Sequence, residues 1–337
     1  MRWTYSYESA SDRAGQILTE EDNSTSGPAT YVSQLTDTQN YDLLGRLMTR
    51  KSAITGAAST VPVISSGYEY DSANRRRALA LSDGSSWSYD YDTRGEVVSG
   101  KRFWSAGTPV AGQQFEYAYD TIGNRTVTKR GGDASGANLR VDSYTVNNKN
   151  QYSARTWTGV ADFVGMAFAS TPVSVQLNAG TAVTASRQGE YFYQGVTVAG
   201  TSGRSNKITV TVSGGTPAAG GFYTPPTSQT IQHDFDGNLT SDGLWTYAWD
   251  GENRLKSMYM SGLNGGASGP PRLKVDFVYD GNGNVMGTKD ASSLTWSSQY
   301  EYGPFGEVIR SSGTMAKSNP FLPMEAFPPL CGRWAQR

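Results

Sequence analysis

Tyr68-Glu69-Tyr70-Asp71-Ser72-Ala73-Asn74-Arg75 is the stretch that decides the fold class. Its two tyrosines stand two residues apart, so on a strand both lie on one face and stack in one layer. Asp71 then ends the strand, because its carboxylate accepts a hydrogen bond from a backbone N–H two residues on and closes an Asx-type turn. Asn74, three residues after the aspartate, tolerates the left-handed conformation that a reversing chain needs. The returning strand starts just beyond it. The stretch therefore predicts a β-hairpin that cannot bury its aromatic face alone, and stacking hairpin on hairpin buries it.

The same unit recurs in both directions along the chain. Upstream, Tyr41-Asp42 leads to Gly45-Arg46-Leu47. Downstream, Tyr89-Asp90-Tyr91-Asp92 leads to Gly95-Glu96, and Tyr117-Ala118-Tyr119-Asp120 leads to Gly123-Asn124-Arg125. After an interruption, Tyr247-Ala248-Trp249-Asp250 leads to Asn253-Arg254, and Phe277-Val278-Tyr279-Asp280 leads to Gly283-Asn284. Tyr300-Glu301-Tyr302-Gly303 leads to Gly306-Glu307 with glycine in place of aspartate, and Phe235-Asp236-Gly237-Asn238-Leu239 reads as a shortened copy. Asp42 to Asp71 is 29 residues, Asp71 to Asp92 is 21 and Asp92 to Asp120 is 28, so the unit repeats without a strict period and the connecting loops vary in length.

Composition agrees with β structure. Glycine (39) and tyrosine (20) are abundant, and no stretch keeps the apolar spacing of an amphipathic helix. The formal net charge is −1, which gives no electrostatic reason to expect nucleic acid or an anionic membrane. Arg75-Arg76-Arg77 and Lys129-Arg130 read as solvated faces between strands. One cysteine, Cys331, and one histidine, His233, exclude an internal disulfide framework and leave too few ligands for a Cys/His zinc site. His233 reads as a strand-surface residue entering a turn, and no Gly-x-Ser-x-Gly elbow or phosphate-binding loop accompanies it. Strand alternation begins at Arg2-Trp3-Thr4-Tyr5, so these residues carry no export signal, and no apolar run reaches membrane-spanning length.

Taken as a set, Tyr-Asp-x-x-Gly-Arg-Leu with flanking Tyr-x-Tyr strands resembles the Rhs/YD-repeat family of bacterial cell-surface and toxin-delivery proteins. The resemblance covers about residues 35–155 and 229–321. It is closest from Asp236 to Asp250 and at Tyr302-Gly303-Pro304-Phe305-Gly306-Glu307 followed by Asn319-Pro320-Phe321. It implies a non-catalytic shell segment secreted or displayed as part of a longer protein, with the remaining shell segments and a C-terminal toxin as partners. In the family a tyrosine-rich block follows Asn-Pro-Phe, and then come a Gly-Arg-Trp-x-x-Arg-Asp-Pro close and a variable domain. Here Gly332-Arg333-Trp334-Ala335-Gln336-Arg337 ends before any Asp-Pro, and the element tied to self-cleavage is missing. The chain thus looks like a fragment or an eroded copy.

The expected architecture is all-β: hairpins winding into a curved, partly open sheet, with an inserted small β-sandwich-like module. Repeats are placed at 1–155 and 225–316, the insert at 156–224 and an irregular tail at 317–337. Within the insert, Val173-Ser174-Val175-Gln176-Leu177, Tyr191-Phe192-Tyr193 and Ile208-Thr209-Val210-Thr211-Val212 are strand-like runs separated by turn residues. Arg187-Gln188-Gly189-Glu190-Tyr191-Phe192 looks like the inserted module of some Rhs-type proteins. Open sheet edges favour pairing with other chains.

No cofactor is expected, and two bland readings outweigh sharper ones. Asp280-Gly281-Asn282-Gly283-Asn284 has oxygen ligands at positions 1, 3 and 5 of a calcium loop, but Val285 and Ala291 fill positions 6 and 12, and the aspartate fits the repeat register as a turn residue. Trp87, Trp104, Trp157, Trp245, Trp249 and Trp296 suggest an alternative as an adhesion module for a surface glycan; most repeat aromatics read instead as sheet packing, with tyrosine hydroxyls reaching water.

Overall fold

The computed structural model describes residues 3–7, 17–22, 34–55, 63–198, 200–265, 272–290, 296–302 and 308–313. Every regular element among them is a β-strand, the sheets are open, and none closes on itself. The expected all-β class is what the chain adopts. It divides into two compact units, residues 1–118 with 128–139 and residues 119–127 with 140–337.

In the first unit the strands lie side by side in chain order. Gln34–Tyr41, Leu47–Thr55, Ile64–Tyr70, Arg76–Leu81, Ser86–Tyr91 and Val97–Phe103 each pair antiparallel with the strand before, and Pro109–Tyr119 follows. Short loops make each strand's neighbour in sequence its neighbour in space. Few side chains on these strands are wholly buried, so aromatic faces supply much of the packing. Trp87 stacks on Tyr89 of its own strand at 6.3 Å and on Phe115 at 6.1 Å, as the i, i+2 aromatic pattern requires.

The second unit has two runs of repeat strands and a sandwich between them. Leu139–Val146 pairs with Tyr152–Thr156, which pairs with Ser228–Thr230. From Gln232–His233 onward, the strands Leu239–Ser241, Thr246–Trp249, Leu255–Tyr259, Lys274–Tyr279, Val285–Asp290, Trp296–Tyr302 and Val308–Ser312 again follow chain order. Between Thr156 and Ser228 stand two small sheets. One contains Val160–Met166, Tyr191–Thr197 and Ser186–Gln188, and the other contains Val173–Leu177, Gly203–Val212 and Ala218–Thr224. Their facing sides close over Val173, Val175, Ala185 and Phe192, with Phe163, Val196, Ile208, Val210 and Val212 around them. This is the alternating inward pattern of a sandwich core. At its neck, buried Trp157 donates its indole N–H to the Pro226 carbonyl at 3.0 Å.

Candidate functional site

The hairpin ends share one geometry. Eleven loops, starting at Asp42, Asp71, Leu81, Asp92, Trp104, Asp120, Asp133, Asn147, Asp234, Asp250 and Asp280, have the same two backbone hydrogen bonds. In each, the first residue's N–H donates to the fifth residue's carbonyl, and the fourth residue's N–H donates back to the first residue's carbonyl. The fourth residue has positive φ in all of them, from 59° at Asn253 to 93° at Gly123. That is a three-residue hairpin loop built on a type I turn with a left-handed glycine or asparagine and a bulge. Among the expected positions, Gly45, Gly95, Gly123 and Gly283 occupy this left-handed place; Gly306 lies outside the described residues.

The aspartates lock the loop from within. Asp71 Oδ1 accepts from Ala73 N and Arg75 N, both at 2.9 Å, and Oδ2 accepts from Arg75 Nε at 2.7 Å. Asp42 holds Leu44 N, Arg46 N and Arg46 Nε in the same way, and Asp250 holds Glu252 N, Arg254 N and Arg254 Nε. Where asparagine stands fifth, its amide replaces the guanidinium: Asn124 Nδ2 donates to Asp120 Oδ2 at 2.8 Å and Asn284 Nδ2 to Asp280 Oδ2 at 3.0 Å. The Asp92 loop departs from this, with Glu96 fifth and Arg94 bridging the two carboxylates at 3.5 and 2.5 Å. These donors favour the ionised carboxylate. The fifth residue's N–H leads in lowering the pKa of Asp42, Asp71, Asp92 and Asp250, while the Asn124 and Asn284 amides lead at Asp120 and Asp280. Asp133, held first by the Ser135 hydroxyl and then by the Asn138 amide, falls to about 2.

A second set of bonds joins each hairpin to the next. The aromatic just before the aspartate position crosses to the carbonyl of the residue just after the preceding aspartate loop. Tyr70 Oη donates to Leu47 O at 2.8 Å, Tyr91 to Arg76 O at 2.7 Å, Tyr279 to Leu255 O and Tyr302 to Val285 O, both at 2.8 Å, and Trp249 Nε1 to Leu239 O at 2.7 Å. Strand pairing explains why these carbonyls need a partner. The ladder between Leu255–Tyr259 and Lys274–Tyr279 begins only at Ser257, and that between Leu47–Thr55 and Ile64–Tyr70 only at Thr49. The carbonyl two residues earlier has no strand partner there, and a tyrosine is long enough to reach it. The arginines add a further link, because their guanidinium groups lie over the next unit's ring: Arg46 over Tyr70 at 4.9 Å, Arg75 over Tyr91 at 4.5 Å and Arg254 over Tyr279 at 5.0 Å. Side-chain bonds do the same between loops, from Arg46 Nη1 to Asn74 Oδ1 at 2.7 Å and from Asn238 Nδ2 to Asn253 Oδ1 at 2.8 Å.

Several sequence expectations change here. The hydroxyls of Tyr70, Tyr91, Tyr279 and Tyr302 go to neighbouring carbonyls rather than to water, whereas Tyr41 donates to Gln39 Oε1 at 2.6 Å and Tyr247 to Asp242 Oδ2 at 2.8 Å. The fifth loop residue does more than start a strand, since it ties its own aspartate to the next hairpin. The copy at Phe235-Asp236-Gly237 shifts by two residues: Asp234 opens the loop and Phe235 stands fully exposed at its tip. Asn147 opens an unexpected loop, with its Oδ1 accepting from Lys149 N and Gln151 N.

The other candidates fall into structural roles. Asp280 spends both carboxylate oxygens on its own loop. Among the described residues no group of three His, Cys, Asp or Glu side chains could hold a metal ion. His233 lies half-buried on the strand Gln232–His233; Cys331 lies outside the described residues. The indole N–H groups of Trp157 and Trp249 are both committed to carbonyls.

No protein-family model and no curated protein matches the chain. Among solved structures, it is similar to the TcdB2-TccC3-Cdc42 crystal structure at 13% identity and a TM-score of 0.34, over 86% of this chain and 15% of that one. It is likewise similar to the Photorhabdus luminescens Tc holotoxin pore at 13% identity and a TM-score of 0.35, over 85% of this chain and 14% of that one. TcdB2-TccC3 without its hypervariable C-terminal region matches at 11% identity and a TM-score of 0.23, over 94% of this chain and 23% of that one. The chain thus spans less than a quarter of each of these chains, and superpositions this loose carry no residue-by-residue correspondence.

Proposed function

We propose that the chain is a non-catalytic wall segment of a larger Rhs/YD-type shell, of the kind that encloses a C-terminal toxin for delivery to competing bacteria. In this reading it acts as part of a longer secreted or surface protein. The observation that carries it is the ladder of loop locks and inter-hairpin bonds. The repeat residues that a catalytic or binding reading would have to enlist, the loop aspartates and arginines and the hydroxyls of Tyr70, Tyr91, Tyr279 and Tyr302, are spent on holding one hairpin and joining it to the next. A ladder of this kind has no built-in end: each unit offers the following one a carbonyl and a cation or amide. We assign residues 156–224 to an inserted sandwich that interrupts the repeats at 1–155 and 225–316. Reading the coding DNA on both sides of this chain tests the proposal. Further aromatic-Asp-x-x-Gly units on at least one side, with an unrelated domain after the last, are expected. Flanks without any such unit would overturn the wall-segment reading.

A further inference from the structure

Between Thr156 and Ser228 the chain leaves the repeat strands, builds the sandwich and returns one strand away. Beyond that neck, the sandwich touches the repeat strands on two sides.

On the first side, Arg140 reaches from the strand Leu139–Val146 to the outer face of Val160–Met166 and Tyr191–Thr197. Its Nη1 donates to Asp162 Oδ1 at 2.5 Å and to the Tyr193 hydroxyl at 2.7 Å, and Tyr193 O–H donates to the same carboxylate oxygen at 2.9 Å. The arginine and aspartate side chains are only 18% and 16% exposed, so the pair is withdrawn from water rather than lying loosely on the surface. Opposite Asp162 in the strand ladder stands Gly195. A Cβ there would overlap Arg140 Nη2, and the φ of Gly195 is not left-handed, so space rather than backbone conformation explains this glycine. On the second side, Gly203 pairs in parallel with Leu263 and donates its N–H to Gly262 O at 2.9 Å. Beside it, buried Leu244 and Met260 pack with Tyr223 and Trp245.

We propose that the sandwich is a brace: Arg140, Asp162 and Tyr193, seated over Gly195, latch it to the repeat strands before the insertion, and Leu244 with Met260 seats it on those after. The inference goes beyond the wall-segment reading and needs no cargo. Its logic lies in the pairing. Ser228–Thr230 pairs back to Tyr152–Thr156, whereas Gln232–His233 pairs forward to Leu239–Ser241. One sheet ends and the next begins at this change of partner, and the brace spans the break. An apolar seat tolerates sliding, but a guanidinium nitrogen shared between two fixed acceptors must stay within hydrogen-bond reach of both. Burial, and then the Asp162 charge, push the Tyr193 hydroxyl up to about 12, so it remains a donor through neutral pH.

Hydrogen exchange followed by mass spectrometry on the full chain tests this. Arg140→Ala is expected to speed exchange at least tenfold in Tyr152–Thr156 and Ser228–Thr230 while leaving the sandwich-core strand Val173–Leu177 unchanged. Arg140→Lys, which keeps the charge but replaces the planar guanidinium with a shorter, flexible ammonium, should do the same to a smaller degree. Should Arg140→Ala fail to fold, Tyr193→Phe is read instead, with at least threefold faster exchange expected in the same two strands. Unchanged exchange there, or an equal rise in Val173–Leu177, overturns the brace.

Discussion

Tyr279→Phe removes one oxygen from the inter-hairpin ladder and little else. The hydroxyl donates to Leu255 O at 2.8 Å, while the ring, with Arg254 over it at 5.0 Å, stays in place. The net loss for such a bond is about 0.5–1.5 kcal/mol, rising to about 3 kcal/mol where the abandoned carbonyl cannot find water. Leu255 is half-buried and lies next to an exposed loop, so water can reach its carbonyl and the cost should sit near 1 kcal/mol. In a domain of this size that corresponds to a fall of about 2–4 °C in midpoint. Thermal and urea unfolding followed by far-ultraviolet circular dichroism measure it, with Tyr279→Ala alongside. The alanine variant should lose more, because it also removes the ring and its cation contact, worth about 0.5–1 kcal/mol at an exposed site. A Tyr279→Phe protein as stable as the parent would show that the carbonyl bond contributes nothing. One as unstable as Tyr279→Ala would show that ring packing does not matter. Either result refutes the reasoning.

Three other outcomes follow from the same loops. The aspartate pKa values are depressed in the folded chain, so their stabilising effect is full above the ordinary carboxylate value of 3.8 and is lost as pH falls through the folded values toward about 2, where Asp133 titrates; urea midpoints should hold from pH 7 to 5 and then drop steeply in acid, and a flat profile down to pH 2 contradicts this. Gly95→Ala places a side chain at φ 88° and should cost about 1–2 kcal/mol, whereas Asn74→Gly at φ 63° keeps the backbone and loses only the exposed bond from Arg46 Nη1, and should cost under about 1 kcal/mol, as paired urea titrations will show. Trp157→Phe leaves the Pro226 carbonyl at the sandwich neck with only the longer bond from Gln229 Nε2, at 3.4 Å, and should cost about 0.5–1.5 kcal/mol, read as faster proteolysis between Thr156 and Ser228.

The parts legible in the sequence were those whose chemistry is local. Asp71 and Asn74 announce their loop because every group that closes it lies within five residues. The loops opening at Leu81 and Trp104 lack an aspartate in first place; in the former Asp83 Oδ1 accepts from Ser85 N and Ser85 Oγ instead, so Gly84 and Gly107 are their clearest marks. Asn147 hid because Val146, not an aromatic, precedes it. At Phe235 two aspartates flank one position, and only the backbone bonds show that Asp234 opens the loop. The ladder was illegible for a different reason. Tyr70 bonds a carbonyl 23 residues away, and a carbonyl has no residue type to read. Arg140, Asp162 and Tyr193 meet across separations of 22 and 53 residues, where no spacing rule reaches.

The wall-segment account is tested most directly by trypsin digestion of the product of the complete reading frame, followed by mass spectrometry of the segment downstream of this chain. The account predicts that this segment survives far longer than the same segment made alone, and that the protection is lost when Asp71, Asp92, Asp250 and Asp280 are together replaced by alanine. Equal digestion of the downstream segment in both contexts would contradict it.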